Sequence, residues 1–157
     1  MSIRRLRKRV PSTKFVSVAS LVKHQLNFHK ASKDGSAKCD ALITHDEAHF
    51  VIGVVFDISE SEKLDLDRHE GLGKGYNEKN VTVVSIEGKS LEVFTYYATD
   101  IDPRLKPYHW YKEHVIRGAE EYELPQDYIQ IIAATESIDD SDRSRQDVEM
   151  AIYRSNL

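Results

Sequence analysis

The stretch Phe50-Val-Ile-Gly-Val-Val-Phe56 decides the fold class, because a helical pattern follows this apolar run directly. A nearly continuous apolar run of this length is typical of a central strand that is buried on both faces. Gly53 within the run predicts a close backbone approach. Ser59 and Glu62 have the spacing of a capping box, which predicts a helix from there to about Glu70.

Strand patterns lie on both sides of this stretch, and helical patterns lie towards the two ends of the chain. The predicted strands are residues 14–20, 22–29, 37–44, 49–57, 81–86 and 91–98. The predicted helices are residues 3–10, 59–70, 108–122, 125–133 and 141–153. Strands with one inserted helix, followed by helices, predict an α+β fold with a small, mostly antiparallel β-barrel and flanking helices.

Length and composition predict one domain over residues 1–157. The chain is 40% hydrophobic and 31% charged, and its mean hydropathy is -0.51. It contains no run of about 18 apolar residues, so we expect no membrane span. No apolar signal-peptide core follows the basic N-terminus. The lone Cys39 cannot form an intrachain disulfide, which fits a cytoplasmic protein.

The net charge of -4 is unevenly distributed, because the first thirty residues hold eight Lys and Arg and no acid. The segment Arg4-Arg-Leu-Arg-Lys-Arg9 could contact nucleic acid. However, Ile3, Leu6 and Val10 fall on one helical face, which predicts an amphipathic surface helix with a solvated basic side. The rest of the chain offers no basic stripe, so we expect no nucleic-acid partner.

No segment has the pattern of a metal or cofactor site. His45-Asp-Glu-Ala-His49 lacks the Glu that must directly follow the first His of a helical zinc motif, and it lies in a predicted turn. Gly71-Leu-Gly-Lys-Gly75 lacks both the spacing and the Ser or Thr of a phosphate-binding loop. Cys39 lies in a predicted strand, where a small buried residue is the better interpretation than a nucleophile. We therefore expect no metal and no cofactor.

The stretch Leu66-Asp-Arg-His-Glu-Gly-Leu-Gly-Lys-Gly-Tyr76 places one carboxylate, Glu70, at the predicted end of a helix. Gly71 ends helices readily because glycine adopts the left-handed conformation without strain. A glycine-rich loop also lets backbone N–H groups approach a ligand closely, so Gly71 is a candidate binding residue. One positioned carboxylate is enough for proton transfer. From the residues alone, a solvated helix-end carboxylate without a role is the commoner case.

Three features together resemble the gamma-glutamylcyclotransferase family, in the same order and with similar gaps over nearly the whole chain. They are Phe50-Val-Ile-Gly-Val-Val-Phe56 before a short helix, Leu66-Asp-Arg-His-Glu-Gly71 leading to Tyr76, and Leu105-Lys-Pro-Tyr-His-Trp-Tyr111 before Gly118-Ala-Glu and Leu124-Pro. The resemblance implies a small closed β-barrel with flanking helices.

The resemblance also implies an activity on a small-molecule γ-glutamyl substrate. Family members cleave γ-glutamyl amides when the α-amine of the substrate attacks its own γ-carbonyl, which releases 5-oxoproline and an amine or amino acid. By resemblance Glu70 is the base and then the acid of this reaction. Tyr76, Tyr96 and Tyr111 align with pocket-lining hydroxyls, although ordinary core tyrosines remain the alternative. Gly53 is expected to border the same pocket.

One family feature is missing from this sequence. The N-terminal strand that ends in Tyr-Gly-Ser-Asn supplies backbone N–H groups that hold the γ-glutamyl group and stabilise the oxyanion. We expect that the domain is N-terminally truncated, and that the chain can be inactive for this reason. We also expect an unpaired sheet edge that favours a homodimer. The alternative function is a non-catalytic binding or stress-response module on the same fold.

Overall fold

The computed structural model describes residues 2–154, which form two antiparallel sheets and five α-helices. The strands are β1 Lys14–Val22, β2 His24–Ala31, β3 Ala37–Ile43, β4 Phe50–Asp57, β5 Tyr76–Ser85 and β6 Ser90–Ala98. The helices are α1 Ile3–Arg7, α2 Lys63–Glu70, α3 His109–Glu121, α4 Gln126–Ala134 and α5 Arg143–Met150. Short 3₁₀ turns lie at Glu60–Glu62 and Ala151–Tyr153. Over residues 2–154, no helix combines the length and the apolar character that a membrane crossing requires.

The strands form a curled half-barrel, which confirms the predicted α+β class. Four strands follow the order β4-β1-β5-β6, and β2 and β3 form a separate hairpin. The contact between β1 and β5 is short, with Ala19 opposite Ser85 and Ser20 opposite Val84. The hairpin joins the larger sheet where the Ala98 N–H of β6 donates to the Asp40 carboxylate of β3 at 2.8 Å. Curling brings β3 and β6 together beside the interior of the half-barrel.

Strand β4 is an edge strand, and the prediction of a central, fully buried strand was wrong. It pairs along one side with β1, and no strand within residues 2–154 is hydrogen-bonded to its other side. Its continuous apolar pattern has a different cause. Ile52 and Val54 pack against the helices, whereas Val51 and Val55 line the interior of the half-barrel. The predicted homodimer remains a prediction, for which this free edge is the natural surface.

Gly53 lies in the middle of β4, and no close backbone approach explains it. A Cβ atom built on Gly53 would meet nothing within 4 Å. The residue instead borders open space on the inner side of the strand. The predicted contact with another part of the backbone is therefore absent among the described residues.

The predicted capping box before α2 does not form. The Ser59 hydroxyl makes no cap hydrogen bond, and α2 begins at Lys63 after a 3₁₀ turn. The Glu62 carboxylate instead accepts from the Ser12 N–H at 3.0 Å and from the Ser12 hydroxyl at 2.6 Å. The Ser12 hydroxyl oxygen in turn accepts from the Ser59 N–H at 2.8 Å. A contact over 50 residues of chain has thus displaced the local one, and it ties the N-terminal segment to the start of α2.

Two hydrophobic clusters hold the helices on the strands. The larger one packs α3 and α4 against the sheet through Val18, Ala119, Leu124, Tyr128, Ile129 and Ile132. The smaller one packs α1 and the residues after it against α2 through Leu6, Val10 and Leu66. The apolar face predicted for the N-terminal helix is therefore an inner face, because Val10 is fully buried.

Helix α4 offers a direct test of the larger cluster. Ile132→Ala removes a side chain that is 2% exposed, and we expect the free energy of unfolding to fall by about 2–4 kcal/mol from lost burial and the cavity left behind. The adjacent Ile131 is 68% exposed, so Ile131→Ala should change stability by less than about 0.5 kcal/mol. Urea unfolding followed by circular dichroism measures both. Equal losses for the two variants would contradict this packing.

Candidate active site

A cavity of about 390 Å³ lies between the strands and helix α3, at the C-terminal end of α2. This volume is typical of a small-molecule site. Most of its wall is apolar. The side chains with possible chemical roles that border it include Arg5, Asp40, Glu70, Tyr76, Tyr96, Tyr111 and His114, and Gly53 also lines it. A second, apolar cavity of about 420 Å³ adjoins it inside the half-barrel.

Glu70 is the last residue of α2, and its carboxylate borders this cavity. The helix ends there because Gly71 adopts the left-handed conformation, with φ 76°, and its N–H donates to the Asp67 carbonyl. This agrees with the predicted helix end. Gly71 itself is not among the residues that line the cavity, so its position is that of a helix cap.

Arg9 pairs with Glu70, and sequence reasoning missed this contact. The guanidinium Nη1 atom lies 3.0 Å from Glu70 Oε1, and the Glu70 side chain is only 17% exposed. The two residues are 61 positions apart, so no short-range pattern in the sequence predicts the pair. The sequence pattern predicts a solvated basic face for the N-terminal segment. Arg9 instead fixes the orientation of the carboxylate at the cavity wall.

Tyr76 and Tyr111 hold the peptide backbone at Cys39 between them. The Tyr76 hydroxyl donates to the Cys39 carbonyl at 2.6 Å, and the Cys39 N–H donates to the Tyr111 hydroxyl at 3.0 Å. Burial raises the pKa of both phenols, so both stay neutral. The two tyrosines therefore fix strand β3 against the cavity, while their side chains also form part of its wall.

Tyr96 reaches towards α2. Its hydroxyl donates to the Asp67 carboxylate at 2.5 Å, and Lys63 also pairs with that carboxylate. Burial and the neighbouring Asp67 raise the pKa of the Tyr96 phenol. Lys63 makes a further ion pair with Glu78 of β5. This network anchors the helix that ends in Glu70, so Tyr96 supports the site and borders the cavity at the same time.

Helix α3 brings a second polar group, His114, to the cavity, and sequence reasoning also missed its contacts. The buried His114 lies between the Tyr153 hydroxyl, 2.7 Å from Nδ1, and the Glu149 carboxylate, 3.2 Å from Nε2. Burial lowers the pKa of His114. Glu149 also lies 3.3 Å from the Arg5 guanidinium. Because these residues come from α1, α3 and the C-terminal segment, only the tertiary packing brings them together.

Metal ligands do not cluster in the part of the chain that the structure covers. Within residues 2–154, no group of three or more His, Cys, Asp or Glu could hold a metal ion. His45 and His49 lie in the turn before β4, outside the residues that line the cavity, and the His49 ring contacts the Thr44 hydroxyl at 3.1 Å.

The environment of Cys39 leads us to predict that its thiol reacts slowly in the folded protein. Burial raises the pKa of the thiol to about 12, so at pH 8 almost no reactive thiolate is present. We expect iodoacetamide to alkylate the folded protein more than about 100-fold slower than free cysteine. Unfolding in concentrated urea should restore the ordinary rate, and mass spectrometry follows this single site. Rapid alkylation of the folded chain would contradict the described packing.

Known proteins share both the sequence pattern and the fold. Residues 50–132 match the model of the AIG2-like family. Gamma-glutamylcyclotransferase of Homo sapiens is 30% identical over 154 residues, which are 96% of this chain and 81% of the human protein. A solved structure named gamma-glutamyl cyclotransferase superposes with a TM-score of 0.86 at 26% identity, covering 98% of this chain and 93% of that one.

A second solved structure, of a human protein described as uncharacterized, superposes with a TM-score of 0.85 at 27% identity. It covers 97% of this chain, and this chain covers 92% of it. Sequence and structure thus agree over nearly the full length of the described residues. The chain belongs to the AIG2-like, gamma-glutamylcyclotransferase-like family.

Proposed function

We propose that this chain cleaves γ-glutamyl amides or peptides by intramolecular cyclisation, releasing 5-oxoproline and an amine or amino acid. The observation that carries the proposal is the common cavity of Glu70, Gly53, Tyr76, Tyr96 and Tyr111. These residues come from five separate elements, yet they border one space of small-molecule size. Family membership and the likeness to gamma-glutamylcyclotransferase of Homo sapiens support the same reaction class.

Glu70 has the chemistry that this reaction needs. Its carboxylate takes a proton from the α-ammonium group, and the freed nitrogen attacks the γ-carbonyl carbon to form a C–N bond. The tetrahedral species then collapses, the original amide C–N bond breaks, and Glu70 passes the proton to the leaving nitrogen. The ring nitrogen then gives its second proton to the Glu70 carboxylate, which passes it to the released amine, so that 5-oxoproline keeps one N–H. Over the full reaction two protons move from the α-nitrogen to the leaving amine, so no water or other reactant is consumed.

The surroundings of Glu70 support this role in two ways. Ring closure within one molecule is accelerated mainly when the folded-back conformer is selected, and a small cavity with apolar walls does this by shape. Arg9 and the Tyr96 network hold the base and its helix in place. Apolar walls also exclude water, which strengthens electrostatic interactions inside the cavity.

The likeness to named gamma-glutamylcyclotransferases makes γ-glutamyl peptides, including those of glutathione metabolism, the substrate class that we propose. The single cysteine supports a reducing compartment, and we propose the cytoplasm as the place of action. A panel of γ-glutamyl substrates would identify the preferred group on the leaving side of the γ-amide.

A non-catalytic binding module on the same fold is the second candidate. One observation favours it: Glu70 is paired with Arg9, and the hydroxyls of Tyr76, Tyr96 and Tyr111 all make hydrogen bonds within the chain. These polar groups are therefore satisfied without a reacting ligand. A module of this kind would bind γ-glutamyl compounds without releasing 5-oxoproline.

The distinguishing measurement is release of 5-oxoproline from a panel of γ-glutamyl dipeptides and amines, followed by liquid chromatography. We expect Glu70→Gln to lower kcat by about a hundred- to ten-thousand-fold, because the amide cannot transfer the proton. Glu60→Gln is the matched control on the exposed turn before α2, and it should retain activity. Activity that survives Glu70→Gln would refute the assigned role. A wild-type chain that binds γ-glutamyl compounds but releases no 5-oxoproline would support the binding module.

A further inference from the structure

Arg5 is the cationic side chain that borders the cavity beside Glu70. Among the described residues that line this space, the other charged groups are the carboxylates of Asp40 and Glu70. Asp40 is buried and already satisfied, since it accepts from the His29 ring at 2.9 Å and from the Ala98 N–H at 2.8 Å. The cavity therefore offers an incoming ligand one positive group, Arg5, and one carboxylate at its edge, Glu70.

Within residues 2–154, the contacts of Arg5 hold the side chain without using most of its donors. Its Nη2 atom lies 3.3 Å from Glu149 Oε2, which is a single, long ion-pair contact. Its guanidinium lies over the Tyr111 ring, 6.0 Å from the ring centre, and the side chain is 16% exposed. A guanidinium has five N–H donors in a planar fork that matches a carboxylate. Most of this fork remains available to a ligand in the cavity.

Glu149 is itself held in place, so it gives Arg5 a fixed support. It accepts a hydrogen bond from His114 at 3.2 Å in addition to its contact with Arg5. The hydrogen bond from His114, together with the nearby positive charge of Arg5, lowers the pKa of the Glu149 carboxyl. Glu149 thus stays charged behind Arg5, and Arg5 is directed towards the cavity.

We propose that Arg5 binds the α-carboxylate of the γ-glutamyl group, an extension that rests on the function proposed above. A γ-glutamyl group carries an α-ammonium and an α-carboxylate on the same carbon. Arg5 binds the carboxylate by charge-assisted hydrogen bonds, and the ammonium is then presented to Glu70. The site accordingly selects substrates with a free α-carboxylate over α-amidated analogues.

The test compares two substrates in four proteins. The substrates are a γ-glutamyl dipeptide and the same dipeptide with its glutamyl α-carboxylate converted to a carboxamide. The proteins are the wild type, Arg5→Gln, Glu149→Gln and Lys8→Gln. Wild type should prefer the carboxylate substrate by about 10- to 100-fold in kcat/KM, the usual effect of hydrogen bonds to a charged group. Arg5→Gln should lose this preference, because kcat/KM falls for the carboxylate substrate and stays unchanged for the carboxamide.

Two variants separate substrate binding from a structural role. Glu149→Gln removes the support of Arg5 but keeps the guanidinium, so it should reduce the preference for the carboxylate less than Arg5→Gln does. Lys8→Gln removes one positive charge from the same segment at an exposed position, and it should behave as the wild type. Equal losses on both substrates in Arg5→Gln, or a larger loss of the preference in Glu149→Gln than in Arg5→Gln, would overturn the proposal.

Calorimetry tests carboxylate binding by Arg5 independently of the proposed reaction. If the wild type releases no 5-oxoproline from any substrate, the reaction fails but the Arg5 site can still be measured. The wild type should then bind 5-oxoproline, which keeps the α-carboxylate, more tightly than 5-oxoprolinamide, and Arg5→Gln should bind both equally. Equal affinity of the wild type for the two compounds would refute the carboxylate site.

Discussion

Burial of Leu6 and Val10 against Leu66 is the contact on which the site depends. This apolar packing fixes the N-terminal segment across the C-terminal helix turn that carries Glu70. Once it forms, Arg9 lies against Glu70 and Arg5 lies at the wall of the cavity. Apolar burial thus brings Arg9 and Glu70 together, although they lie 61 residues apart in the sequence.

Hydrogen bonds from buried tyrosines complete the same arrangement. Tyr76 from β5 and Tyr111 from α3 both bond to the backbone of Cys39, so strand, hairpin and helix meet at one peptide. Tyr96 binds Asp67 and thereby fixes α2 on the sheet. Buried hydroxyls need partners, and here the partners lie on separate elements. The cavity is consequently bounded by side chains that also hold the fold together.

Sequence reasoning succeeded where a short-range pattern carried the information. The strand and helix order predicted the α+β class, and the helix end at Gly71 followed from the conformational freedom of glycine. It failed where distant contacts prevailed. Glu62 bonds to Ser12 instead of capping α2, and β4 lies at an edge although its apolar run predicts a central strand. In β4 the two apolar faces meet helices on one side and the barrel interior on the other.

The sequence alone determined which side chains are available: one carboxylate before a glycine-rich loop, three tyrosines, and a basic N-terminal segment with an apolar face. These features depend on residues that are close together in the chain, so hydrophobic periodicity and turn-forming residues indicate them. Only the tertiary structure decided which of them share a cavity. The partners of Glu70 and Glu149 are Arg9 and Arg5, two arginines of the N-terminal segment. Their pairing follows from how the apolar faces pack, and packing is a property of the whole fold.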